Sequence, residues 1–179
     1  IDELKKILEK KILRKLSKDK FCLEILELTF PQLRYFDVFL KLNPYAERVF
    51  KDIDFIFIVS LLIIDQTDNA EYFLYKFNIS KKNQKRIKNI YYFYKDKITF
   101  KTFSESNLNR VFYYQGKETV IDIINFKIFK SKKLDYRLIE LSKSYNDKTA
   151  PTMPIKADIL MKKYKILEGK NLGDKLKMI

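Results

Sequence analysis

Residues 53–64 read Ile53-Asp54-Phe55-Ile56-Phe57-Ile58-Val59-Ser60-Leu61-Leu62-Ile63-Ile64, and the class of fold turns on this run. Its aromatic and β-branched residues suit a buried strand, and its unbroken hydrophobicity suits a buried helix equally well. No other stretch offers a convincing partner strand. The run is therefore expected to be a helix hidden on every side. It is too short to cross a bilayer, which takes roughly 20 residues, so no membrane partner is expected.

The flanks carry helical signals. Upstream, Leu4, Ile7, Leu8, Ile12 and Leu16 recur at a helical rhythm across residues 1–16. Ser17 and Asp19 have turn and cap chemistry. A short helix is expected over 21–28, ended by Pro31, and Pro44 bounds a further stretch over 33–42. Downstream, Asp65, Thr67 and Asp68 supply a capping turn before a helix at 70–77. Ser80 is a good N-cap for the next helix. There Ile87, Ile90, Tyr91 and Tyr94 share an apolar face, and Lys81, Lys85 and Lys88 form a basic stripe beside it. More helices are expected from Ser104 or Ser106 to Gly116, over 120–128, and over 136–141, with a basic connection at 130–133. Residues 145–154 are polar, contain two prolines, and read as a linker to a small tail at 155–179. The expected fold is an all-α array of about ten short helices with a small C-terminal helical tail.

Composition narrows the function. The 179 residues are enough for one domain with a real core, or for two small helical subdomains. Three glycines and four prolines are too few for a turn-rich sandwich or barrel. With no His and one Cys, a disulfide framework, a Cys/His zinc site and catalysis by a His base are all excluded. The cysteine usage points to a reducing, cytoplasmic setting. The basic amphipathic start carries Asp2, Glu3 and Glu9 and has no small-residue cleavage site, unlike a signal peptide. The first residue is Ile1 rather than Met, which suggests a piece of something longer.

The net charge of +14 invites a phosphate-bearing partner. Yet Ile, Lys, Phe, Tyr and Asn make up 90 of the 179 residues. All five suit A/T-rich codons, so charge alone identifies no partner.

Few residues suit catalysis. No glycine-rich phosphate loop is present. Asp52-x-Asp54 has the spacing of a two-metal carboxylate pair, but its place before the apolar run fits helix capping better. Ser60 has no His to activate it and is expected to bond its own helix backbone. Cys22 is expected to pack. More suggestive are Tyr91, Tyr92, Phe93 and Tyr94 after the lysine stripe, and Val111, Phe112, Tyr113 and Tyr114 after Arg110. Such mixtures can stack bases while cations hold phosphates. The plainer expectation is that these aromatics are core, with hydroxyl ends reaching the surface.

The tail, Leu160-Met161-Lys162-Lys163-Tyr164-Lys165-Ile166-Leu167-Glu168-Gly169-Lys170-Asn171-Leu172-Gly173-Asp174-Lys175-Leu176, resembles the C-terminal signature of bacterial CCA-adding tRNA nucleotidyltransferases and the related poly(A) polymerases. Pro154 and Ala157-Asp158-Ile159-Leu160 stand where the family has a proline stretch and a Gly-x-Asp-Leu-like turn, with Ala157 in place of the usual Gly. Gly169 and Gly173 match its later Gly-x-x-x-Gly. Glu3-Leu4-Lys5-Lys6-Ile7-Leu8, followed by Phe30-Pro31, is similar to the end of the family's neck. Phe77-Asn78-Ile79-Ser80-Lys81-Lys82 is similar to the turn opening a basic helix in its body.

The family's catalytic head, with its Gly-Ser loop, Asp-x-Asp pair and Arg-Arg-Asp motif, has no counterpart here. Its nucleotide-reading Glu-Asp-x-x-Arg motif is absent too, and Asp52-x-Asp54 lies too far downstream to be the head pair. The resemblance therefore implies neck-end helices at 1–30, a helical body at 31–147 and tail helices at 155–179. It implies a tRNA-gripping fragment, inactive alone, with a separate catalytic head chain as a possible partner. Mg and CTP or ATP are implied only for that head, and no cofactor for this chain. The residues expected to bind RNA are Lys81, Lys82, Lys85, Arg86 and Lys88 in the body and Lys162, Lys163, Gly169 and Lys170 in the tail. The two tail glycines fit either a close backbone approach to phosphate or a helix cap and close crossing. The alternative is a vestigial, non-enzymatic helical protein-interaction module whose basic charge reflects codon usage. A DNA-binding reading is weaker, because no helix-turn-helix glycine turn is evident.

Overall fold

A computed structural model describes residues 2–95, 100–149, 157–165, 167–170 and 173. Among the described residues the chain is all-α, with eleven α-helices and no strand. In order they are α1 (Asp2–Ile7), α2 (Lys10–Leu16), α3 (Lys20–Thr29), α4 (Pro44–Val49), α5 (Phe55–Ile63), α6 (Asn69–Lys76), α7 (Lys81–Lys95), α8 (Glu105–Gln115), α9 (Lys117–Lys130), α10 (Tyr136–Asp147) and α11 (Ala157–Tyr164). No described helix is long and apolar enough to cross a membrane. The chain forms two compact units, Ile1–Lys148 and Thr149–Ile179. The division falls within the expected linker, and α1–α3 share one unit with the body helices.

The apolar run is the helix α5, and local chemistry explains why. Asp54 caps it, its carboxylate accepting from Phe57 N at 2.9 Å. The Ser60 hydroxyl donates to Ile56 O at 2.8 Å, so the one polar side chain inside the run is satisfied by the helix itself. Helices α6, α7 and α9 pack around it, leaving every residue from Ile56 to Ile63 buried. Phe57 meets Phe129 of α9 edge-on, with ring centroids 5.5 Å apart. Truncating Leu61 or Leu62, both fully buried, to Ala is expected to cost about 2–5 kcal/mol.

The second central helix, α9, contacts α4, α5, α7, α8 and α10. Asn43 fastens its C-terminal end. The Asn43 side-chain oxygen accepts from Tyr45 N and Ala46 N at the start of α4, and its amide donates to Ile128 O at 2.8 Å and Ser131 O at 3.1 Å. A buried amide with its acceptor and both its donors satisfied fixes one geometry between two helices.

Several boundaries differ from expectation. The first helix is two, because Glu9 takes an extended ψ of 136° between α1 and α2. Residues 33–42 hold only a short 3₁₀ turn, Phe36–Phe39. Pro44 opens α4 instead of closing the preceding stretch, the role proline favours at a helix start. Helix α9 begins directly after Gly116, whose φ of 88° turns the chain between two helices without a loop. Helix α10 runs on to Asp147 because Ser142 and Tyr145 are buried and anchor its last turns.

Candidate nucleic-acid interface

Helix α7 carries a basic surface of the first unit. Its start is held by Ser80, whose hydroxyl accepts from Asn83 N at 3.4 Å while its carbonyl accepts from Gln84 N at 2.9 Å. Its inner face buries Ile87, Ile90, Tyr91 and Tyr94. This commits the opposite side to solvent, where Lys81, Lys82 and Lys85 are exposed and Lys88 is half-buried. None of these four lysines forms an ion pair with a carboxylate among the described residues.

The two remaining cations of α7 are paired. The Arg86 guanidinium grips Asp122 of α9 with two hydrogen bonds, at 2.6 and 2.9 Å, and also bonds the Asp54 carboxylate. These bonds, those to Asp122 first, hold Arg86 charged well beyond its ordinary range. Burial pushes the Asp122 carboxyl up, with Arg86 pulling the other way. Burial also opposes ionisation of Asp54, but the bonds from Arg86 and from Phe57 N outweigh it and hold that carboxyl below its usual value. Arg86 thus ties α7 to α9 and to the cap of α5. At the far end of α7, Lys95 pairs with Asp68 at 3.3 Å and Glu71 at 3.8 Å.

Beside the unpaired lysines two adjoining clefts run along α7. The first, of about 340 Å³, has Lys82, Lys85 and Asn89 on one wall and Gly116, Lys117 and Thr119 on the other. Glu118 and the paired Arg86 and Asp122 also line it. No side chain caps α9 there. The second, of about 350 Å³, lies between Asn89, Tyr92 and Phe93 of α7 and Asn107, Arg110 and Val111 of α8. Asn89 and Gln115 line both. The groove is therefore cationic toward the start of α7 and aromatic, with an arginine, toward its end.

The aromatic clusters divide by face. Tyr91 and Tyr94 are core, as are Val111 and Phe112, whereas Tyr92, Tyr113 and Tyr114 are exposed. The Tyr94 hydroxyl donates to Ile123 O at 2.7 Å, and burial pushes its pKa well above the ordinary value. Tyr92, Asn89, Arg110 and Lys117 are not among the RNA-binding residues expected from sequence. Tyr92 continues the series Lys81, Lys85, Lys88 along α7, and spacing could have found it. Arg110 belongs to the second aromatic–basic mixture of the sequence, but the packing that sets it opposite Tyr92, and the turn at Gly116 that brings in Lys117, are announced by no local pattern.

In the second unit, Lys162 and Lys163 are exposed in the last turn of α11, and Gly169 and Lys170 are exposed beyond it. Gly169 has φ 146°, a conformation side chains disfavour. No described atom lies within 4 Å of where a Cβ would stand on Gly169 or Gly173. Pro154 and the stretch beyond Gly173, including the expected last helix, lie outside the described residues.

Asp54 serves as a helix cap, and among the described residues no three Cys, Asp or Glu side chains are grouped to hold a metal. Comparison of the chain with protein-family models, curated proteins and solved structures finds no match.

Proposed function

We propose that the chain is the tRNA-binding C-terminal portion of a cytoplasmic tRNA 3′-end-processing nucleotidyltransferase, of the CCA-adding or poly(A)-polymerase kind, inactive without a separate head. One observation carries the RNA-binding part. Lys81, Lys82, Lys85 and Lys88 stand unpaired along one side of α7, beside a groove lined by Tyr92 and Arg110. Unpaired ammonium groups in a row suit regularly spaced phosphates, and an exposed tyrosine next to an arginine suits an unstacked base. The choice of tRNA rests on the sequence resemblance.

Binding to full-length tRNA and to an unstructured RNA of equal length, each at two salt concentrations, tests the proposal. Preference for tRNA that survives the higher salt is expected. Equal, steeply salt-sensitive binding to both would reduce the chain to a generic polycation.

A second reading, a protein-interaction module, has its own observation. Phe21, Ile25 and Leu28 are exposed along one side of α3, an unpartnered apolar strip of the kind that marks a contact surface.

A further inference from the structure

A further cleft lies away from the lysine stripe, at the C-terminal end of α9. It has a volume of about 450 Å³ and is lined by Tyr35, Ile64, Tyr94, Phe126, Lys127 and Lys130, among others. That size lies within the roughly 300–1,000 Å³ of small-molecule sites. Tyr35, Tyr94 and Phe126 give it an aromatic wall, and Asp65, Gln66, Thr67, Lys127 and Lys130 supply its polar groups.

Lys130 is the unusual member. Its ammonium sits 4.1 Å from the centre of the Tyr35 ring and 5.5 Å from that of Phe126. Among the described residues it has neither a hydrogen bond nor an ion pair. The charged and titratable groups facing it are Asp37, Asp65, Tyr35, Tyr94 and Lys127. Asp65 is already engaged: it accepts from Thr67 N and Thr67 Oγ1 at 2.8 and 2.6 Å and from the Tyr35 hydroxyl at 3.3 Å. Arg34 lies 3.7 Å from the same carboxylate. Burial pushes the Lys130 amine down to about 8, with Asp37 and Asp65 only partly offsetting it. Tyr35, whose ring covers the ammonium, holds a left-handed backbone at φ 63°. A bulky residue adopts that conformation only where its surroundings impose it. The result is a half-buried cation, walled by rings and lacking an acceptor.

We propose that this cleft binds a planar aromatic anion of about mononucleotide size, its ring against the aromatic wall and its anionic group on the ammonium groups of Lys130 and Lys127. The site is independent of the RNA-binding reading, since no residue of the α7 stripe lines it.

Calorimetric titration of the whole chain with AMP, with adenosine and inorganic phosphate as controls, tests the proposal. AMP is expected to bind at least about tenfold more tightly than either control. Its affinity should fall as pH rises through 8, approaching tenfold per unit, because binding needs the ammonium form. K130M should lose at least about tenfold in affinity. K130R should keep binding and abolish the fall, because a guanidinium stays charged. A merely structural lysine would not exchange its pH profile in this way. A 5′-phosphorylated trinucleotide run in parallel assigns the source, tighter binding than AMP indicating a strand and weaker binding a free nucleotide. The proposal is overturned if AMP binds no better than phosphate, if K130M leaves its affinity unchanged, or if the fall appears only near the ordinary lysine value.

Discussion

Two faces of α7 carry cations in opposite states. On the inner side Arg86 is closed between Asp122 and Asp54. On the outer side Lys81, Lys82, Lys85 and Lys88 have no carboxylate partner among the described residues. All five lie within two turns of one helix, and in sequence they look like one basic patch. The contrast shows that a positive charge reports a ligand only where the fold leaves it unneutralised. Sequence places Arg86 among the RNA-binding residues; the fold engages its guanidinium with Asp122 and Asp54 while the residue still lines the first cleft.

The largest expected effect follows from the inner face. Arg86→Met strands Asp122 as a buried, unpaired carboxylate and should cost about 3–5 kcal/mol in a urea unfolding series. A variant that kept its stability but lost RNA affinity would dissolve the distinction between the faces.

Lys130 extends the comparison to a cation that is inward-facing but unpaired. Lys130→Met should raise stability at pH 7 by about 1–3 kcal/mol, because the folded chain no longer carries a charge that burial disfavours. The sign follows from the lowered amine at about 8. As pH rises from there toward the unfolded value, the wild-type folded state sheds its proton before the unfolded state does and gains stability. The advantage of the variant should therefore shrink over that interval in thermal melts at stepped pH. An advantage that did not change with pH would assign the effect to packing alone.

On the outer face, Tyr92→Ala should weaken RNA binding by about 1–3 kcal/mol if a base stacks there, with little change in melting temperature. The smallest stability effect belongs to the lysines. Replacing Lys81, Lys85 and Lys88 singly by Ala should move unfolding free energy by no more than about 0.5 kcal/mol each. A larger loss would mean they are paired after all.

The all-α class was legible because it follows from local features. Residues 53–64 lacked a partner strand, Asp54, Ser80 and Ser104 offered caps, and Gly116 marked a helix end. What escaped notice depended on non-local packing. Nothing near Arg86 signals that Asp54 and Asp122, far apart in sequence, will close on it. Lys130 looked like part of a basic connection, and only the positions of Tyr35 and Phe126 make it a caged amine. Pro44 misled because proline suits both the end of one segment and the first turn of the next. Ser142 and Tyr145 continue the helical spacing of Leu138 past the expected end of α10, a spacing masked by the polar residues around them. The lysine stripe was readable as a stripe. That its members stay unpaired is a property of the three-dimensional arrangement.

The central claim is that the outer lysines of α7 hold RNA phosphates. The salt dependence of tRNA binding by the wild-type chain and by the Lys81→Ala, Lys85→Ala, Lys88→Ala triple variant addresses it directly. The account predicts weaker binding and a log–log slope flattened by about 0.7–0.9 for each phosphate that is no longer held. An unchanged affinity and slope would contradict it.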